Sequence, residues 1–246
     1  MKTYYYSFDD LKAYTRRFFS AFGIDEKDAE IISDVIVTAD LRGITSHGIG
    51  KLHTYYGRRL VSGHISPPSA IKMVAETTSS AVFDGAHSLG QVSGHRAMLM
   101  CIEKARISSI ATATVRNSNH SGYAGYYAMM PLSEEMIGVS LTNSEALMAP
   151  TFGRTRQLGM NPIAIAVPAR GKPPVVLDMA TSIKALGKVL IHEKNGENIP
   201  LGWGIDERGN PTEDPAKVHH NGSLMPLGGP ELMSGYKGYG LGLMVD

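Results

Sequence analysis

The apolar residues of this chain change their spacing near residue 65, and that change limits the possible folds more than any other feature. Before it, Ile31, Ile32, Val35, Ile36 and Ala39 recur three or four residues apart, the stripe of a helix facing a core. Ser7 ahead of Phe8-Asp9-Asp10 is expected to start a first helix that stops at Gly23. A serine oxygen can cap free backbone N–H groups, acids suit the first turn, and glycine suits the turn that ends a helix. Asp25 opens the second helix, Gly43 ends it, and a third is expected from near Ser46 to Leu60, closed by Gly63. Pro67-Pro68 then punctuate the chain.

Past the prolines, short β-rich runs alternate with helical ones. Residues 71–75 and 81–84 are expected to pair as strands around 77–80, and a helix is expected over about 90–106. Further β-rich segments lie at 110–115, 137–142, 163–167 and 175–177, with helical segments near 122–132 and 182–192. This order predicts an α/β fold: a helical unit over 1–68, then a layered α/β region over 69–246. Residues 195–235 are expected to be loop, because glycines, prolines and Trp203 interrupt any period there.

Charge excludes some partners. Lysine and arginine total 24 against 23 acidic residues, so no net field draws the chain to nucleic acid or to a membrane surface. No apolar run reaches the roughly 20 residues of a membrane span, and Asp9 and Asp10 sit where a signal peptide would need an apolar core. One cysteine, Cys101, permits no intrachain disulfide, and a cytoplasmic protein is expected. The chain stops inside an apolar run over 235–246, which reads as a cut through an element.

Two stretches carry chemistry. Arg42-Gly-Ile-Thr-Ser-His-Gly48 and Asn117-Ser-Asn-His-Ser-Gly122 each set a histidine among hydroxyls and glycines at the edge of a helix. Histidine exchanges protons near neutral pH at little cost. At the first site, Thr45 or Ser46 is either a simple helix cap or part of an anion site. In the anion site, backbone N–H groups would hold a carboxylate beside His47, with Arg42, Lys51, Tyr55 and Tyr56 close by. The second stretch lies between a strand and a helix, where α/β folds place ligands, and it is equally readable as a plain capped turn. Asp178, at a strand end, is either a cap or a contact to a ribose hydroxyl or a histidine. No Gly-x-Gly-x-x-Gly follows a strand, so a dinucleotide would have to bind without the Rossmann turn. No phosphate loop, nucleophile elbow or metal spacing is present: His219-His220 is an adjacent pair in a loop, and no metal is expected. Cys101 is expected to pack on a helix.

Taken in order, Asp40-Leu-Arg-Gly-Ile-Thr-Ser-His-Gly48, Asn119-His-Ser-Gly122, Thr142-Asn-Ser144, Gly159-Met-Asn-Pro-Ile-Ala164, Asp178-Met-Ala-Thr-Ser182, Ile199-Pro-Leu-Gly-Trp203 and Gly235-Tyr-Lys-Gly-Tyr-Gly240 resemble the malate/L-lactate dehydrogenase family. This non-Rossmann group also includes ureidoglycolate and sulfolactate dehydrogenases and cyclic-imine reductases. The resemblance covers essentially the whole chain. It implies an NAD- or NADP-dependent homodimer moving hydride at the 2-position of a 2-hydroxy or 2-oxo acid such as malate or lactate. It also implies that His120 and His47 are catalytic, with His120 as the acid/base and His47 at the substrate, that Ser46 and Lys51 bind the substrate, and that Ser144, Asp178, Met179, Ala180 and Lys237 line the cofactor. Two departures stand out: the family commonly carries arginine where Lys51 stands, and its chains run further past Gly240. The second departure leaves open a shortened, catalytically silent member that binds ligand or partner without turnover. A cofactor-independent lyase using the same two histidines is the third reading.

Overall fold

The computed structural model describes residues 5–66 and 70–246. Helix α1 spans Phe8–Ser20, and Ser7 caps it by accepting the Asp10 N–H at 3.1 Å. Helix α2 spans Glu26–Leu41 behind Asp25, which accepts the Asp28 N–H at 2.9 Å. Its stripe is where the spacing put it: Ile32, Val35, Ile36 and Ala39 are fully buried.

The third helix departs from expectation. Thr45–His47 form a single 3-10 turn with no side-chain cap, followed by a π-helix over Leu52–Gly57 that runs into α3, Arg58–Val61. The wider turn lets Leu52, Tyr56 and Leu60 share one core with Phe19, Ile32 and Ile36. Leu89 and Val92 join that same core. The helices therefore fold together with the segment after them, and the chain divides into compact units at Met1–Met136 and Ile137–Asp246. The expected boundary at 68, with Pro67-Pro68, lies outside the described residues.

In the first unit β1 (Lys72–Glu76) and β2 (Ser80–Asp84) pair antiparallel. The Thr77 hydroxyl accepts the N–H groups of Ser79 and Ser80 and so closes their turn. Helix α4 (Gly90–Ser108) then crosses to β3 (Thr112–Arg116), which lies parallel to β2. Ala97 of α4 packs against Ala81 and Phe83 of β2. Helix α5 (Ala124–Met129) and a 3-10 turn over Met130–Glu134 complete the unit.

The second unit holds an antiparallel sheet of β4 (Gly138–Leu141), β5 (Ile163–Val167) and β6 (Val175–Met179), in that order. On one face Ala164 and Ala166 are fully buried, while Val139, Leu141, Val175 and Leu177 on the other are exposed. Helix α6 (Leu186–Asn195) follows. Residues 195–235, expected to be loop, are a set of short packed elements: β7 (Gly204–Ile205), α7 (Pro215–His220) and β8 (Ser223–Leu224). Ile199, Val218 and Leu224 form a core there with Leu147 and Val189. Strands of two residues and a helix of six are too short to leave a readable period. The apolar run at 236–245 is α8, Tyr236–Val245. Its Gly238 is required by packing, since a Cβ there would lie 2.7 Å from Leu227 Cα. Among the described residues no helix is long and apolar enough to cross a membrane.

Candidate active site

The first histidine loop is folded by a carboxylate. Asp40, near the end of α2, accepts the Ile49 N–H at 2.7 Å through Oδ2. Gly48 sits so close beneath it that a Cβ would collide with the carboxylate, so glycine is needed here for space. Burial raises the Asp40 pKa, and the bond from Ile49 opposes that rise. The result is a turn that holds His47 in place. Ser46 does not cap a helix. Its Oγ lies 2.9 Å from His47 Nδ1, and Arg42 is an exposed residue just past α2.

The second loop, after β3, is held from three sides. Asn119 Nδ2 donates to the carbonyls of His87 at 2.8 Å and Ser88 at 3.3 Å. Tyr127 donates its hydroxyl to the Ser121 carbonyl, and Ser118 Oγ lies 2.9 Å from Ser93 Oγ. Gly122 has φ +87° and approaches Val35 so closely that a Cβ would lie 2.6 Å from Val35 Cγ1. Both conformation and space demand glycine there.

These two loops bring His47 and His120 together. Their rings stack with centroids 5.4 Å apart and planes 19° apart. Tyr56 Oη lies 2.7 Å from His120 Nδ1, and the Gly122 N–H donates to the same nitrogen at 3.2 Å. Behind them, Gln91 Nε2 donates to Tyr56 Oη at 2.7 Å, while Gln91 Oε1 is buried without a hydrogen-bond partner among the described residues. The Tyr55 ring leans on His120 at 5.2 Å between centroids. Lys51 Nζ and the Arg59 guanidinium stand 5.1 and 4.5 Å from the Tyr55 centroid. Ser46, His47, Lys51 and His120 thus come together in one cluster. Arg59 and Gln91 belong to it without any local sequence signal, because an arginine on a helix face and a glutamine in a first turn look ordinary in sequence.

The electrostatics of the cluster keep both histidines neutral. His120 is pushed down to about 3, first by burial and then by His47, Lys51 and Arg59. His47 is pushed down to about 4 by burial and by Lys51. Burial also lowers Lys51 and raises Tyr56. At neutral pH the site therefore holds two uncharged imidazoles beside Lys51 and Arg59, an arrangement whose charge favours a negative ligand.

The remaining candidates all lie in the second unit. The Ser144 N–H donates to Asn161 Oδ1 at 3.0 Å, and Ser144 Oγ accepts the Met160 N–H at 2.9 Å. Fully buried Asn161 in turn donates Nδ2 to the Gly242 carbonyl of α8 at 2.9 Å. Thr181, one residue past Ala180, bonds the Met160 carbonyl through both its N–H and its hydroxyl. Asn161 and Thr181 thus tie Ser144, the end of β6 and α8 into one network. Asp178 and Met179 close β6, with Asp178 across from Ala164 and exposed. Lys237 is an exposed residue of α8. A carboxylate accepts from ribose hydroxyls, and a hydroxyl and an ammonium group donate to phosphate oxygens, so the chemistry of these side chains is compatible with a dinucleotide.

Elsewhere, His219 and His220 end α7 instead of lying in a loop. They approach Glu193 of α6 at 2.9 and 3.2 Å. Cys101 is a half-buried residue of α4 whose thiol pKa is raised by burial, which suits packing better than nucleophilic chemistry.

The family profile described as malate/L-lactate dehydrogenase matches residues 6–246. The chain belongs to the malate/L-lactate dehydrogenase family. Within that family it is 49% identical over 239 residues to a malate dehydrogenase of Pyrococcus abyssi, covering 97% of this chain and 66% of that protein. It is 45% identical over 225 residues to an L-sulfolactate dehydrogenase of Methanocaldococcus jannaschii, covering 92% of this chain and 63% of that one. The crystal structure of malate dehydrogenase from Entamoeba histolytica superposes with a TM-score of 0.95 at 35% identity, covering 100% of this chain and 70% of that one. The chain thus spans about two thirds of the length of these family members.

Proposed function

We propose that this protein is an NAD- or NADP-dependent oxidoreductase acting on a 2-hydroxy or 2-oxo acid. The observation that carries this reading is the neutral His47–His120 stack beside Lys51 and Arg59. A 2-oxo acid needs a cation or backbone donors for its carboxylate and a proton-exchanging group at the oxygen next to it. That cluster offers both. His120 exchanges the proton at the 2-oxygen, and His47, Ser46 and Lys51 hold the acid. When bound, the nicotinamide supplies or accepts the hydride, and Ser144, Asp178, Met179, Ala180 and Lys237 are the residues that would hold the cofactor.

The relatives named for malate and for sulfolactate act on 2-hydroxy acids with a second anionic group. The pairing of Lys51 with Arg59 supports the same class of substrate here. A homodimer belongs to the same reading. The exposed apolar residues Val139, Leu141, Val175 and Leu177 of the antiparallel sheet favour burial against another surface.

The test supplies NADH and NADPH separately with 2-oxo acids that carry or lack a second anionic group. Cofactor oxidation that requires the acid is expected, fastest with the dianionic acids. Cofactor or acid binding without oxidation would replace this reading with that of a silent binding protein. Turnover of an acid with no cofactor present would point to a lyase.

A further inference from the structure

We infer that Tyr56 and Gln91 are positioning residues that set the tautomer of His120, holding its single proton on Nε2. This rests on the function proposed above only for what the tautomer does, not for its geometry. The polarity of the chain follows from one group that cannot reverse. A backbone N–H only donates, and the Gly122 N–H is directed at His120 Nδ1 from 3.2 Å. Nδ1 therefore carries a lone pair.

Tyr56 Oη, 2.7 Å from that lone pair, must then be the donor. Having spent its only proton there, the phenol can only accept from its other neighbour. That neighbour is Gln91, which is oriented to match: Nε2 donates to Tyr56 Oη at 2.7 Å, and the amide oxygen is the atom left buried without a partner among the described residues. Leaving a buried amide oxygen unpaired costs stability. That cost is understandable if the amide's task is to present its NH2 to Tyr56. Gln91 and Tyr56 are both fully buried, so water does not compete for these bonds. Gln91, Tyr56 and the pair His120 and Gly122 come from three separate segments: α4, the π-helix, and the loop after β3, where His120 and Gly122 flank Ser121.

Two donors converging on Nδ1 also oppose a second proton on the ring, which agrees with a neutral imidazole. The charged or titratable groups around it, His47, Lys51 and Arg59, act in the same direction. A neutral ring with its proton on Nε2 meets a 2-oxo oxygen as a hydrogen-bond donor. The free protein is therefore set to receive a 2-oxo acid at this position.

Nitrogen-15-labelled histidine read by NMR, with the His120 signals assigned through His120→Gln, tests this without any turnover. In the unaltered protein Nδ1 of His120 is expected to be unprotonated and Nε2 protonated, with that tautomer in about tenfold excess or more. Tyr56→Phe removes only the hydroxyl and should reduce the excess several-fold. Gln91→Glu, read at a pH where the introduced carboxyl is ionised, replaces the donor by a group that only accepts, so Tyr56 turns its proton toward the carboxylate and His120 should shift toward the Nδ1-protonated form. A proton found on Nδ1 in the unaltered protein overturns the inference, and so does an unchanged tautomer ratio in folded Tyr56→Phe. Should Gln91→Glu fail to fold, the first two measurements still decide. A protein with the expected tautomer but no nicotinamide-linked turnover would refute the proposed function and leave the assignment of the ring standing.

Discussion

Replacing His120 with alanine is expected to lower kcat for 2-oxo acid reduction by about 10²–10⁴-fold, the usual contribution of a positioned acid/base. Nicotinamide binding should persist, because the residues proposed to hold the cofactor all lie past residue 136, in the other compact unit. The reasoning is geometric. Among the side chains of the cluster, His120 receives two hydrogen bonds at one ring nitrogen while its ring packs against His47, Tyr55 and Tyr56, so its orientation is fixed. Among the described residues the His47 ring is hydrogen-bonded to neighbouring Ser46, and its alanine variant should raise KM at least as much as it lowers kcat. Steady-state kinetics with calorimetry of cofactor binding separates the two roles. Near-normal kcat in folded His120→Ala, with chemistry shown to limit the rate, would remove His120 from the reaction.

Gly90→Ala is expected to be among the most damaging small substitutions in the first unit. Gly90 opens α4 against the backbone of the His120 loop. An added Cβ would lie 2.9 Å from both His120 C and Ser121 Cα, and nearer still to the Asn119 carbonyl oxygen. All three neighbours are backbone and cannot turn aside, so either the helix or the loop must move. Overpacking of this kind costs about 3 kcal/mol at the upper end of its usual range. In a chain of this size that is roughly 6–12 °C in Tm. Gly187→Ala in α6 is the control, since nothing lies within 4 Å of a Cβ there, and it should change Tm little or raise it slightly. Equal thermal shifts in the two variants would show that the close approach of α4 to the His120 loop does not govern stability.

How much of this was legible beforehand depended on distance along the chain. Helix α2 and its caps follow from local spacing, and β5 falls at 163–167, where the β-rich run stood. The π-helix over Leu52–Gly57 was not legible, because its wider turn is a response to packing Tyr56 against a core that includes Leu89 and Val92. The same limit applies in the site. Ser46, His47 and His120 stand out through their glycine neighbours. The bonds from Gln91 to Tyr56 and from Tyr56 to His120 span 35 and 64 residues, and no local pattern records them. Gly48 is an intermediate case: the glycine is visible in the motif, but its reason, the Asp40 carboxylate packed against it, is not.

In the proposed reaction hydride passes between a nicotinamide ring and the 2-carbon of an acid. The direct measurement supplies reduced nicotinamide carrying deuterium at both positions of its reactive ring carbon, together with a dianionic 2-oxo acid, and locates the label in the product by mass spectrometry and NMR. One deuterium is expected on the 2-carbon of a single enantiomer of the 2-hydroxy acid, with the hydroxyl proton drawn from the site and solvent. Product formed without deuterium on its 2-carbon, the label having stayed wholly in the cofactor or passed into water, would refute direct hydride transfer.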